Sequence, residues 1–134
     1  MLVKHKDNPA DLEELAEKIV DCIFQVHKNL GPGYPERVYE AALCIELEKK
    51  ALSFEKQKII KVMYPPNIVL DPEYRLDLVI EESVILELKC VETILPVHQA
   101  QLYSYMRMSR LGLGFLVNFN VPLIKDGIKR QYMK

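Results

Sequence analysis

The sequence predicts an α/β or α+β domain in which helices flank a central mixed β-sheet. Two stretches with helical periodicity come first, several stretches with a period of two follow, and a third helical stretch precedes one or two further strands. The chain has 134 residues, 49% of them hydrophobic and 28% charged. Because this is the size and composition of one globular domain, we expect residues 1–134 to form a single domain, with residues 1–10 as a flexible N-terminal tail.

Two amphipathic helices are predicted in the first third of the chain. From Asp11 to Leu30 apolar residues recur at intervals of three and four, and Gly31 ends this pattern. The second helix has Pro35 in its first turn and ends in the charged segment 48–50. Residues 31–35 are rich in Gly and Pro, and we interpret them as a turn between these helices and not as a domain boundary.

Strands are predicted after the second helix. They are Phe54–Gln57, Ile59–Tyr64, Tyr74–Ile80 and Val84–Cys90. Pro65 and Pro66 end the second of these strands, because proline cannot serve a central ladder. The third and fourth strands are expected to pair as a hairpin through the short polar link at residues 81–83.

The last third of the chain predicts a helix and two strands. Pro96 opens a third helix that runs to about Arg110, and Gly112 follows it. The apolar run Leu113–Phe119 suits a buried strand, and Ile128–Met133 suits a short edge strand after a turn. A helix between two strands favours a mixed sheet.

Charge and cysteine content exclude several classes of protein. Lys and Arg total 18 and Asp and Glu total 19, so no global basic field drives the chain onto nucleic acid, and any such contact needs a local patch. The three cysteines lie far apart, which argues against a disulfide framework or a cysteine-rich zinc site. The sequence has no apolar run of 18 residues and no signal sequence, so we expect a cytoplasmic protein without a membrane partner.

The predicted hairpin carries the residues most informative about chemistry. If its turn is centred on Glu82, Asp77 lies opposite Glu87. Strict alternation predicts that one face of the hairpin is apolar, and we expect this face to lie in the core. Its residues are Tyr74, Leu76, Leu78, Ile80, Val84, Leu86, Leu88 and Cys90. The opposite face then carries Arg75, Asp77, Val79, Ile85, Glu87 and Lys89.

Two facing carboxylates repel each other unless a cation or a shared proton lies between them. Oxygen ligands suit Mg²⁺ or Mn²⁺, and Lys89 would orient water or neutralise charge on a phosphate. Asp77, Glu87 and Lys89 therefore predict a phosphodiester hydrolase site. The alternative is a solvated sheet face on which Lys89 and Arg75 offset the two acids.

Two further features favour the hydrolase interpretation. Glu36 in the first turn of the second helix is either a third site carboxylate or simply a partner of the helix dipole, and Tyr39 either orients Glu36 or packs. Gln101 and Tyr105 share a face of the third helix with His98, where they would contact phosphate or a base, or form an ordinary helix surface. For His98 we favour the ordinary surface.

Five motifs occur in order along the chain: Gly33-x-x-Glu36-x-x-Tyr39, Asp77, Glu87-x-Lys89, Gln101-x-x-x-Tyr105 and Asn118-Phe119-Asn120-Val121-Pro122. This combination resembles the GxxExxY family, which is placed in the PD-(D/E)XK nuclease superfamily near its RecB-like branch. The resemblance extends from the first helix to Arg130 and implies a restriction-endonuclease-like core, a central mixed β-sheet flanked by α-helices. The proline expected before the first acid is missing, since Leu76 precedes Asp77.

The resemblance implies a metal-dependent nuclease. Asp77 and Glu87 resemble its metal-binding acids, Lys89 its catalytic lysine, and Glu36 its helix glutamate. Gln101 and Tyr105 match its glutamine-tyrosine helix motif.

On this basis we expect Asp77, Glu87 and the backbone carbonyl of Leu88 to hold Mg²⁺ or Mn²⁺, and Lys89 to position the attacking water. Glu36 would bind a second metal or an outer-shell water. Gln101 and Tyr105 would secure the substrate strand or order the acids, and DNA is favoured over RNA as the substrate.

The main rival hypothesis is a catalytically silent module of the same fold that binds nucleic acid or a protein. Because the chain has no room for a separate recognition domain, specificity would come from a protein partner or a homodimer. A purely structural protein is a third alternative, but it leaves the opposed acids unexplained.

Overall fold

The computed structural model describes residues 9–133. Its elements are α1 (Pro9–Leu30), α2 (Glu36–Lys49), β1 (Phe54–Tyr64), β2 (Ile68–Ile80), β3 (Val84–Lys89), α3 (Pro96–Ser109), β4 (Leu113–Asn118), a short 3₁₀ helix (Ile124–Gly127) and β5 (Ile128–Tyr132). The five strands form one sheet in chain order. β3 and β4 run parallel, joined through α3, and the other neighbours are antiparallel, which confirms the predicted mixed sheet.

Three predictions about the start of the chain and the first strands are wrong. The strands predicted at Phe54–Gln57 and Ile59–Tyr64 are one strand, β1, because its pairing with β2 resumes at Lys58. α1 begins at Pro9, so Pro9 and Ala10 are helical rather than part of the expected tail, and residues 1–8 of that tail lie outside the described residues. β2 begins at Ile68 and not at Tyr74, because it continues to pair with β1 up to the contact of Tyr64 with Ile68. None of the helices in residues 9–133 has the length and apolar composition of a membrane span.

The sheet is covered on both faces, and each face has its own core. α1 and α2 cover one face, where the buried sheet residues include Leu78, Ile80 and Leu86. α3 covers the other face, where the core consists of Leu76, Val79, Ile85, Leu102, Met106, Leu111 and Leu116. Burial of apolar side chains on both faces supplies the main stabilisation of the fold.

The predicted alternation along β2 is wrong at its outer half. Strict alternation predicts Leu76 and Leu78 on one face, but Leu76 packs under α3 and Leu78 packs under α1 and α2. Tyr74 lies on the α3 side as well, where its ring contacts that of Tyr105. A regular strand cannot place residues i and i+2 on opposite faces, so β2 changes faces at Asp77.

β1 changes faces at the matching position. Phe54 packs against the α1 and α2 core and Ile60 against the α3 core, although both are even-numbered positions of one strand. The regular pairing of β1 with β2 omits Gln57 and resumes with the same register on either side of it. The two strands therefore switch faces together at Gln57 and Asp77.

Candidate active site

Asp77 and Glu87 meet where the ladder between β2 and β3 opens. Regular pairing of these strands stops at Leu78 and Leu86. Beyond this point the Asp77 N–H donates to Glu87 Oε1 at 3.1 Å, and the Leu88 N–H donates to Asp77 Oδ2 at 2.8 Å. The predicted juxtaposition of the two acids is confirmed, and each carboxylate takes a ladder position that a backbone carbonyl would otherwise fill.

Burial makes Glu87 hold a proton near neutral pH. The residue is only 6% exposed. Burial, together with the negative charge of Asp77, raises the pKa of Glu87 to about 8, although the Asp77 N–H and the Lys89 charge oppose the shift. The pair therefore carries one proton near neutral pH when no cation is bound.

Asp77 has more neighbouring groups than Glu87 that stabilise the charged form of its carboxyl group. Burial raises the pKa of Asp77, but the Leu88 N–H, the Lys89 charge and the Gln57 side-chain amide all lower it. The two carboxyl groups are therefore different, with the proton favoured on Glu87 and the charge on Asp77.

Lys89 and Glu36 border this pair from β3 and from the first turn of α2. Burial raises the pKa of Glu36, the charge of Asp77 raises it further, and the charge of Lys89 lowers it. Lys89 therefore acts electrostatically on all three carboxyl groups. The three carboxylates do not form a compact ligand cluster, since no group of three His, Cys, Asp or Glu side chains in residues 9–133 is arranged to hold a metal.

Tyr39 fixes the loop that leads into α2. Its hydroxyl donates to the Gly31 carbonyl and accepts the Tyr34 N–H at 3.2 Å, while its ring stacks on Phe119 with centroids 4.4 Å apart. Gly33 in this loop has a φ of +110°, which favours glycine. Tyr39 is fully buried, so it packs and orders the start of α2, where Glu36 lies.

The two predicted residues of α3 take different places. Tyr105 is half-buried and faces the acids, since burial, Glu87, Tyr74 and Asp77 all raise the pKa of its hydroxyl. Gln101 lies one turn earlier and is exposed. Both line a cavity of about 340 Å³ between α3 and the outer halves of β1 and β2, and every residue lining it is uncharged.

Gln57 of β1 and its partner Glu40 of α2 border the site but were not predicted as site residues. The Gln57 Nε2 donates to Glu40 Oε2 of α2 at 2.9 Å, and the same amide lowers the pKa of Asp77. The only sequence signal at this point was the predicted interruption of β1 after Gln57. Periodicity does not distinguish a loop from a change of face within one strand.

Asn118 holds the segment that follows Lys89. It is 2% exposed, its Nδ2 donates to the Val91 carbonyl at 2.9 Å, and its Oδ1 accepts the N–H groups of Val91 and Asn120, each at 3.1 Å. The Phe119 N–H donates to the Lys89 carbonyl at 3.0 Å. These bonds give the Asn118-Phe119-Asn120 part of the last motif a structural role, because they fix the backbone on which Lys89 is carried.

Residues 13–131 match a family model described as the PD-(D/E)XK nuclease superfamily. Comparisons with curated proteins and with solved structures gave no match. The family match confirms the superfamily that the motifs predicted, and the mixed sheet with its helices agrees with a restriction-endonuclease-like α/β fold.

Proposed function

This chain belongs to the PD-(D/E)XK nuclease superfamily, and on that premise we propose that it hydrolyses phosphodiester bonds in nucleic acid, in DNA more readily than in RNA. The observation that carries the proposal is the pairing of the buried Glu87 with the half-buried Asp77, with Lys89 beside them. Assignment to the GxxExxY family near the RecB-like branch is part of the proposal and rests on the ordered motifs. A cytoplasmic location is proposed on the composition of the sequence.

The donor set fits a hard divalent cation, Mg²⁺ or Mn²⁺. Asp77 and Glu87 would supply carboxylate oxygens, and burial of two acids that repel each other is stabilised by a bound cation. The Leu88 N–H points to Asp77, and since the N–H and C=O of a strand residue point to the same neighbour, the Leu88 carbonyl lies on that side too. When bound, such an ion polarises a phosphodiester and makes water a stronger nucleophile at neutral pH.

The other site residues act on water and substrate. Lys89 would hold the attacking water and neutralise charge that develops on the phosphate, since its ammonium already acts on all three carboxyl groups. Glu36 would hold a second ion or a water. Gln101 and Tyr105 would secure the substrate strand or order the acids, and Tyr39 keeps Glu36 in place through the loop before α2.

Cleavage of labelled single- and double-stranded DNA and RNA with Mg²⁺, Mn²⁺ or EDTA tests the proposal. We expect cutting that needs the metal and is lost in Lys89→Ala. Lys129→Ala, an exposed lysine of β5, is the matched control and should cut like the wild type. Absence of cutting on all substrates, or equal cutting by Lys89→Ala, would contradict the nuclease function.

A catalytically silent module that binds nucleic acid or a protein is the second candidate. One observation favours it: the ribbon formed by the ends of β1 and β2 exposes large apolar side chains, such as Met63 at 47% and Tyr64 at 61%. A protein partner or a second copy of the chain would cover such a surface. Substrate binding without cleavage, unchanged by Lys89→Ala, would support this candidate.

A further inference from the structure

Gln57 has an unusual backbone for a residue inside a strand. Its φ is +50°, in the left-handed region that is disfavoured for residues with a side chain. The other described non-glycine residues with a positive φ lie in turns or at helix ends: Ala51, Glu81, Glu82 and Arg110. Disfavoured backbone conformations of this kind cluster at functional sites.

The conformation directs the Gln57 side chain to α2. Lys56 lies on the face that α2 covers, since its charge lowers the pKa of Cys44 in that helix. In a regular strand Gln57 would lie on the opposite face. Instead the Gln57 Nε2 donates to Glu40 Oε2 at 2.9 Å, so both neighbours face the same helix. The left-handed residue thus brings an amide between α2 and the position where β2 changes faces.

We propose that Gln57 is the positioning residue for Asp77, joining Glu40 of α2 to the Asp77 carboxylate so that this carboxylate stays in the opening between β2 and β3. The inference rests on the proposed function, because it assigns Gln57 to the binding of the divalent ion. A side-chain amide has two N–H donors, and Glu40 takes one of them. Gln57 also stands opposite Asp77 on the neighbouring strand, because the pairs on either side of it, Lys56 with Leu78 and Lys58 with Leu76, keep one register.

If the change of face at position 57 had only a structural role, glycine would be the more stable residue there. Glycine adopts a positive φ without a steric penalty, whereas Gln57 adopts it with a side chain attached. We therefore assign the benefit of glutamine at this position to its amide, which donates to Glu40 from the ladder position opposite Asp77.

The test compares Gln57→Gly and Gln57→Asn with the wild type. Gln57→Gly removes the amide and relieves the backbone, and Gln57→Asn keeps an amide on a residue that tolerates the left-handed region. Glu82→Gly is the matched control, because Glu82 has a φ of +51° in an exposed turn away from the acids. Two quantities are measured: Mn²⁺ affinity, from the electron paramagnetic resonance signal of the free ion, and the Tm without metal.

We expect Gln57→Gly to weaken Mn²⁺ binding about tenfold or more, as the loss of a residue that orients a metal ligand does. Its Tm without metal should be unchanged or higher. Gln57→Asn should recover part of the affinity, and Glu82→Gly should bind like the wild type.

Wild-type affinity in Gln57→Gly, or a weaker affinity that accompanies a lower Tm without metal, would overturn the positioning role. Asp77→Asn separates this failure from that of the proposed function. If the wild type binds Mn²⁺ and Asp77→Asn does not, the metal site stands and only the role of Gln57 is in question. If the wild type does not bind Mn²⁺, the metal site and the positioning role both fail.

Discussion

The two ends of the β2–β3 hairpin differ in a way that separates stability from function. At the turn end, Val79 and Ile85 pair regularly and pack under α3, and Ile80 and Val84 pack under the other helices. At the open end, one residue beyond the last regular pair, carboxylates replace backbone carbonyls as acceptors. The exposure of Glu87 is almost as low as that of the apolar residues beside it.

Burial has opposite consequences at these two ends. It stabilises the fold where the side chains are apolar, and it opposes folding where the side chains are acids that share one proton. A protein keeps such a pair when its chemistry requires it. Substitutions at the turn end should therefore lower stability without changing metal binding, and substitutions at the open end should weaken metal binding without lowering the stability of the metal-free protein.

The largest loss of stability is expected from Ile85→Ala at the turn end. Ile85 is fully buried in the α3 core, so truncation should cost about 2–5 kcal/mol in the free energy of unfolding. Denaturant unfolding measures this loss. The Mn²⁺ affinity of the folded fraction should equal that of the wild type, and a large change in affinity would contradict the separation of the two ends.

Glu87→Gln at the open end should change how stability depends on pH. Because the folded-state pKa of Glu87 is raised from 4.5 to about 8, the folded state binds an extra proton in this range. The stability of the metal-free wild type should therefore fall as pH rises from about 4.5 to about 8, by a few kcal/mol at most.

Unfolding free energies of wild type and Glu87→Gln across this pH range test the prediction. The variant cannot ionise at position 87, so its stability should fall less steeply, and it should be the more stable protein at the upper end of the range. Parallel pH profiles for the two proteins would show that Glu87 does not hold the extra proton.

Tyr39→Phe should have the smallest effect. The phenylalanine keeps the stack on Phe119 but loses the hydroxyl bonds to Gly31 and Tyr34, which should cost about 1 kcal/mol in the free energy of unfolding. Cleavage activity should fall modestly, because the loop that positions Glu36 is loosened. A variant with wild-type stability and no activity would instead indicate that the Tyr39 hydroxyl takes part in the chemistry.

The sequence was sufficient to predict the facing acids. The turn at residues 81–83 and the apolar residues on both sides of it determine the hairpin register, and the register places Asp77 opposite Glu87. The superfamily followed from the order of the motifs and was confirmed by the match over residues 13–131.

The face change at Gln57 and Asp77 could not be predicted in the same way. Alternation describes a regular strand, and a left-handed residue within a strand leaves no periodic signal in the sequence. The early start of β2 could not be predicted for a related reason. Residues 71–73 are polar or proline and resemble a loop, and only the pairing of β1 with Glu73 on one side and with Val69 and Ile68 on the other shows that the strand continues. Both features depend on contacts between distant parts of the chain.

The most direct test of the central claim is the Tm of the wild type and of Asp77→Asn with and without millimolar Mn²⁺. An ion that binds only the folded state raises the Tm by mass action. We predict a clear rise for the wild type and none for Asp77→Asn, whose Tm without metal should be at least as high, since one half-buried charge is removed. A wild-type Tm that ignores Mn²⁺, or an equal rise in Asp77→Asn, would contradict a metal site at the open end of the hairpin.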